Sequence, residues 1–171
     1  MNKFLKIISY ILSLVRYVVW FVGLLLLVGV AGIFFGGQRS HGNFIFDYGN
    51  IIIKVPIIFP LLILFMTIAI CFITIKLLKI WSILLLYFSN NIYFNTKNLK
   101  YIKNSFLFLL SLTIFQLLIN LIINYLNTTN VSGLFDFSIK NYLVNVLFLI
   151  LNYLLIIIFK KENIYKKKTR R

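Results

Sequence analysis

Acidic residues are almost missing from this chain. Among 171 residues only Asp47, Asp136 and Glu162 carry carboxylates, and none lies inside a long apolar run. No proton relay or cation site of the usual carboxylate kind can be built within those runs. Histidine and cysteine occur once each, as His41 and Cys71. One cysteine cannot close an intramolecular disulfide, and one histidine lacks the companions a metal needs. A bis-histidine haem bundle is excluded for the same reason. The chain also has no nucleophile–base pair, no HExxH and no phosphate-cradling glycine loop, the patterns that signal common enzyme chemistries. The expectation is a protein without catalytic activity, cofactor or metal.

Apolar side chains and lysine fill the space that these absences leave. The composition is 61% hydrophobic with a net charge of +15, more apolar surface than a soluble domain of this size can hide. The uncharged stretches run from Tyr17 to Phe35, Val55 to Ile75, Ser105 to Leu126 and Asn141 to Phe159. A hydrocarbon core about 30 Å thick takes roughly 20 helical residues to cross, and each stretch meets or nearly meets that length. The fold expected is all-α: a polytopic membrane protein whose four transmembrane helices form an antiparallel bundle. The helices fall at about 4–36, 56–88, 96–127 and 138–160, in one domain that ends in a basic tail, 160–171. The N-terminal stretch is read as a retained first helix, because no small-x-small cleavage site closes it.

The positions of the charges set the orientation. With the N-terminus inside, Arg39, Lys54 and Lys140 are the basic residues outside, and the other fifteen of the 18 lie inside. Cytoplasmic loops carry this excess, so both termini are expected in the cytoplasm, with the helices in the cell's inner (plasma) membrane. Lipid and its anionic headgroups are the partners that so basic a tail implies; nucleic acid is not expected. Heavy use of Ile, Leu, Phe, Asn, Lys and Tyr points to an AT-rich coding sequence and a bacterial source.

Polar and small residues inside the runs mark the candidate contact faces. Gly29, Gly32 and Gly36 share one side of the first helix, where a neighbouring backbone can come close. Packing within the chain and pairing with a second copy both use such a face. Gln116, Asn120 and Asn124 stand four residues apart on the third helix, and Asn145 and Asn152 seven apart on the fourth, preceded by Asn141. Amides in lipid need hydrogen-bond partners, so these two faces are expected to pair. Between the first two helices, Asn43–Phe46 and Asn50–Val55 are β-prone and flank a turn-rich segment, the pattern of a short external hairpin. Pro56 and Pro60 are expected to open the second helix, Pro60 bending its start. Asn95 is expected to cap the third, with Phe94 and Leu99 as a hydrophobic staple.

The segment Ile92-Tyr93-Phe94-Asn95-Thr96-Lys97-Asn98-Leu99-Lys100-Tyr101-Ile102-Lys103 carries a likeness. A Phe opens a helix, with Asn four residues on and an aliphatic residue eight on: here Phe94, Asn98 and Ile102. This resembles the bacterial domain-of-unknown-function family 2975, whose members are four-helix membrane proteins of about this length. The family commonly has Pro before that Phe and an acidic segment after the last helix; this chain has Tyr93 and a lysine-rich end. The resemblance implies an accessory, regulatory or immunity-like role, such as protection against a membrane-active peptide. The alternative from another class is a small transporter or permease subunit that uses the Gln116, Asn120 and Asn124 face.

Overall fold

The structure, a computed structural model, describes residues 2–35, 39–40, 43–48, 51–128 and 140–169. Gly36, His41 and the segment 129–139 lie outside the described residues. Four helices account for most of the chain: α1 (Asn2–Phe35), α2 (Ile58–Ser89), α3 (Thr96–Thr128) and α4 (Lys140–Thr169). Each contains a segment long and apolar enough to cross a membrane, the makeup of a multi-pass membrane protein. At about 1.5 Å per residue, the 32 residues of α2 and 33 of α3 run about 50 Å. That exceeds a hydrocarbon core by more than two turns at each helix.

Each helix packs chiefly on its neighbour in sequence, α1 on α2, α2 on α3 and α3 on α4. Contacts along each seam show antiparallel neighbours. On the first, Ser9 meets Ser82, and Gly23 lies beside Cys71. On the second, Tyr87 stacks on Tyr101 while Phe59 meets Tyr125. On the third, Phe106 meets Tyr153 and Gln116 meets Asn145. One end of the bundle gathers the N-termini of α1 and α3 and the C-termini of α2 and α4, and with them most of the lysines. This is called the basic end below.

Between α1 and α2, β1 (Arg39–Ser40), β2 (Asn43–Tyr48) and β3 (Ile51–Pro56) pair antiparallel in the order β1-β2-β3. The register places Asn43 opposite Pro56 and Tyr48 opposite Ile51. Pro56 therefore ends a strand instead of opening α2. It sits at the end of an edge strand, where a residue without an N–H is tolerated. Pro60 falls in the first turn of α2, whose N–H groups have no helical partner in any case, so its missing N–H breaks no helical bond.

The helix boundaries follow from local chemistry. At the end of α2, Asn91 takes a left-handed backbone with φ 59°, a conformation that asparagine tolerates better than most residues. The Ile92 N–H then donates to Tyr87 O at 2.9 Å and the Asn91 N–H to Phe88 O at 3.1 Å. These are the two bonds of a Schellman C-cap. Four residues after Asn91, Asn95 caps α3: its Oδ1 accepts from the Lys97 N–H at 3.3 Å. α4 runs past 160 to Thr169, because Lys and Glu are good helix formers and cations favour a helix C-terminus. The basic tail is thus mostly helical.

The best-formed core lies at the basic end, where Ile80, Leu84, Ile102 and Phe159 are buried together, with Phe88, Phe94 and Leu99 packed around them. Leu84 and Ile102 are each only 1% exposed. Elsewhere large apolar side chains face outward, from Phe4 to Val28 on α1 and from Leu143 to Ile158 on α4.

Candidate functional site

The residues Phe94, Asn98 and Ile102 occupy one place in the fold and divide its labour. Their spacing of four puts Asn98 and Ile102 on one face of α3, with Phe94 just ahead of the cap. Phe94 packs against Phe159 of α4, ring centroids 5.0 Å apart, and Phe88 meets the same ring from α2 at 6.1 Å. Ile102 fills the layer beneath. Asn98 is fully buried at 0% exposure. Its Nδ2 donates to Ile92 O at 2.8 Å and to Tyr93 O at 2.7 Å. Those carbonyls belong to the α2–α3 turn, where Tyr93 O also accepts from the Asn95 N–H at 3.2 Å. One asparagine thereby ties the turn to the first coil of α3, while the residues on either side of it join three helices.

The amide stripe divides. Asn145 Nδ2 donates to Gln116 Oε1 across the α3–α4 seam. Asn152 is 1% exposed, and its Nδ2 donates one turn back to Phe148 O at 3.1 Å. Asn120 is half-buried and Asn124 exposed. One pair of the stripe therefore meets across the seam, while Asn152 turns back on its own helix. Asn152 Oδ1, Asn98 Oδ1 and Ser105 Oγ are buried atoms without a hydrogen-bond partner among the described residues.

The glycine face also divides. A Cβ built on Gly29 would stand 4.0 Å from Leu64, an ordinary contact, and one on Gly32 would meet nothing within 4 Å. Gly23 faces Cys71 more closely, at 3.8 Å. Sequence reasoning passed over Gly23 because it lies six residues before Gly29, off the face chosen.

It also missed a serine cluster that joins α1 to α2. Ser9 Oγ lies 2.9 Å from Ser82 Oγ and 2.9 Å from Ser82 O. Ser82 Oγ is 3.1 Å from Ser9 O and 3.0 Å from Ser13 Oγ. Two hydroxyls four residues apart in an apolar helix were the available signal. Small side chains let the helices close, and each hydroxyl finds a partner on the other helix.

Trp20, Gly23, Leu24, Leu27, Cys71, Phe72 and Ile75 line a shallow cleft between α1 and α2 of about 20 Å³, about the room of one water molecule. Among the described residues no three His, Cys, Asp or Glu side chains group to hold a metal ion. Comparison with protein-family models, with curated proteins and with solved structures finds no match.

Proposed function

We propose that this chain is a non-enzymatic accessory protein of the bacterial plasma membrane, acting through helix and partner contacts. Both termini face the cytoplasm, and the strands at 39–56 lie on the outer surface. The observation that carries this reading is the Gln116–Asn145 pair. Two amides that could have lined a wet path are used on each other, as interhelical contacts. The outward apolar faces of α1 and α4 then meet lipid, a membrane-active peptide, another membrane protein or a second copy. The fifteen-to-three division of basic residues supports the orientation. The Phe94–Asn98–Ile102 likeness to family 2975 adds the accessory or immunity-like role.

Photo-crosslinking from Asn120 and from Val28 in native membranes, read by mass spectrometry, tests the reading. Capture of a defined membrane protein or peptide supports it and names the partner. The competing reading, a small transporter or permease subunit, rests on Asn124 being exposed beside half-buried Asn120. Loss of solute flux on replacing Asn120 and Asn124, with no captured partner, would overturn the accessory role in favour of transport.

A further inference from the structure

The outward face of α3 carries a repeat. Leu107, Leu110, Ile114, Leu117, Leu121 and Asn124 are all exposed, at spacings of three, four, three, four and three. Residues at those spacings form the seam of a helix pair. The chain's own contacts leave α3 from other positions: Ile102, Phe106 and Gln116 toward α4, and Tyr101, Phe108 and Tyr125 toward α2. Lipid covers the aliphatic members of the outward face as well as protein would. Asn124 is different. It lies near the far end of the uncharged run Ser105–Leu126, and the hydrocarbon beside it offers an amide no hydrogen-bond partner.

We propose that α3 packs along this face against α3 of a second copy of the chain, with the two Asn124 amides hydrogen-bonded to each other. Insertion gives every copy the same direction across the membrane. Two copies related by a two-fold axis along the membrane normal therefore place their α3 helices parallel and in register. Each seam residue then meets its own counterpart at the same depth. An amide is both donor and acceptor, so asparagine pairs with asparagine, where a lysine or a carboxylate would repel itself. A lone asparagine in a parallel seam of aliphatic residues is also the device that fixes register. An acyl chain leaves the amide unpaired, and an unrelated helix must happen to carry a polar group at that depth. A second copy supplies one by symmetry. Lys103, exposed and seven residues before Leu110, continues the seam at the basic end. Like charges hold the helices apart there, so they cross and approach most closely toward Asn124. The proposal names the partner in the accessory reading above and rests on it.

Oxidative cross-linking of single cysteines in native membranes, in a Cys71→Ala background, reads the seam. Leu117→Cys and Leu121→Cys are expected to link two full chains. Leu118→Cys, at nearly the same depth and also exposed but off the seam, is expected to stay largely unlinked. Similar yields at all three positions would overturn the proposal, because random collision would then explain them. Linkage of Leu117→Cys to a different protein would overturn it as well. Energy transfer between labelled chains in vesicles measures the strength of association. Asn124→Leu is expected to weaken it about threefold to tenfold, the range of interhelical hydrogen bonds, and Asn124→Gln, which keeps the amide, should retain most of it. Unchanged association of Asn124→Leu would overturn the pairing, showing that headgroups or water already serve the amide. Carbonate extraction of membranes separates this failure from that of the underlying reading. A chain that resists extraction yet stays monomeric refutes the seam alone, whereas an extracted chain refutes membrane insertion.

Discussion

Replacing Asn98 should loosen the whole basic end, because its side chain donates to two carbonyls of the α2–α3 turn. Asn98→Ala removes the bonds to Ile92 O and Tyr93 O, at 2.8 and 2.7 Å. Each is worth about 1 kcal/mol net. Any carbonyl left dry costs about 1–3 kcal/mol more. Ile92 is exposed, so water recovers part of that penalty there, and Tyr93 O keeps the Asn95 N–H at 3.2 Å. The missing side-chain volume at a fully buried position adds a small packing loss. The total expected is about 2–4 kcal/mol. Asn98→Asp nearly preserves shape but sets a carboxylate against two carbonyl oxygens, and should cost more at neutral pH. Reversible unfolding in mixed micelles, followed by tyrosine and tryptophan fluorescence, measures both variants. Lys100→Ala, at an exposed position, serves as control. A loss below about 0.5 kcal/mol for Asn98→Ala, within the range of ordinary surface changes, would refute the assignment of Asn98 as the tie of the turn.

The other predictions concern the seams between helices. A double-mutant cycle of Ser9→Ala and Ser82→Ala should give a coupling of about 0.6 kcal/mol, with an upper bound near about 1.7; zero coupling would remove the serine cluster as a contact. Gly23→Leu should separate α1 from α2, because its Cβ would start 3.8 Å from Cys71 and the rest of the side chain must go further, whereas Gly32→Leu meets open space. Disulfide trapping between cysteines placed at Ser9 and Ser82, in a Cys71→Ala background, reads the difference: Gly23→Leu lowers the yield and Gly32→Leu does not. Ile102→Ala should cost about 2–4 kcal/mol, since Ile102 is 1% exposed amid Ile80, Leu84 and Phe159; the same unfolding assay checks it.

The helix-capping residues show how far local chemistry reaches. Asn95 as cap and Phe94 ahead of it were legible, because a cap is decided by a few consecutive residues. The two prolines were legible as punctuation but not in place. Whether Pro56 closes a strand or opens a helix depends on whether Asn43 lies opposite it, a contact between residues distant in sequence. The amide stripe was legible as a face, and Gln116–Asn145 does cross the seam. Asn152, however, turns back to its own helix at Phe148. Spacing says which side of a helix a residue occupies, and only the neighbour's position says which donor or acceptor is within reach.

Composition and the lengths of four apolar runs determined, by themselves, that this is a multi-pass helical chain, since lipid requires internally satisfied backbone over about 20 residues per crossing. Hydrophobicity, however, varies little around α3, and in lipid it does not drive one helix face against another. Which faces meet was therefore decided by short-range contacts that have meaning only between partners. Ser9 finds Ser82, Gly23 admits Cys71, and Phe94, Ile102 and Phe159 fill one another's gaps. Pairing, unlike insertion, depends on the shape and hydrogen bonding of two surfaces at once, and one-dimensional order carries only half of each pair.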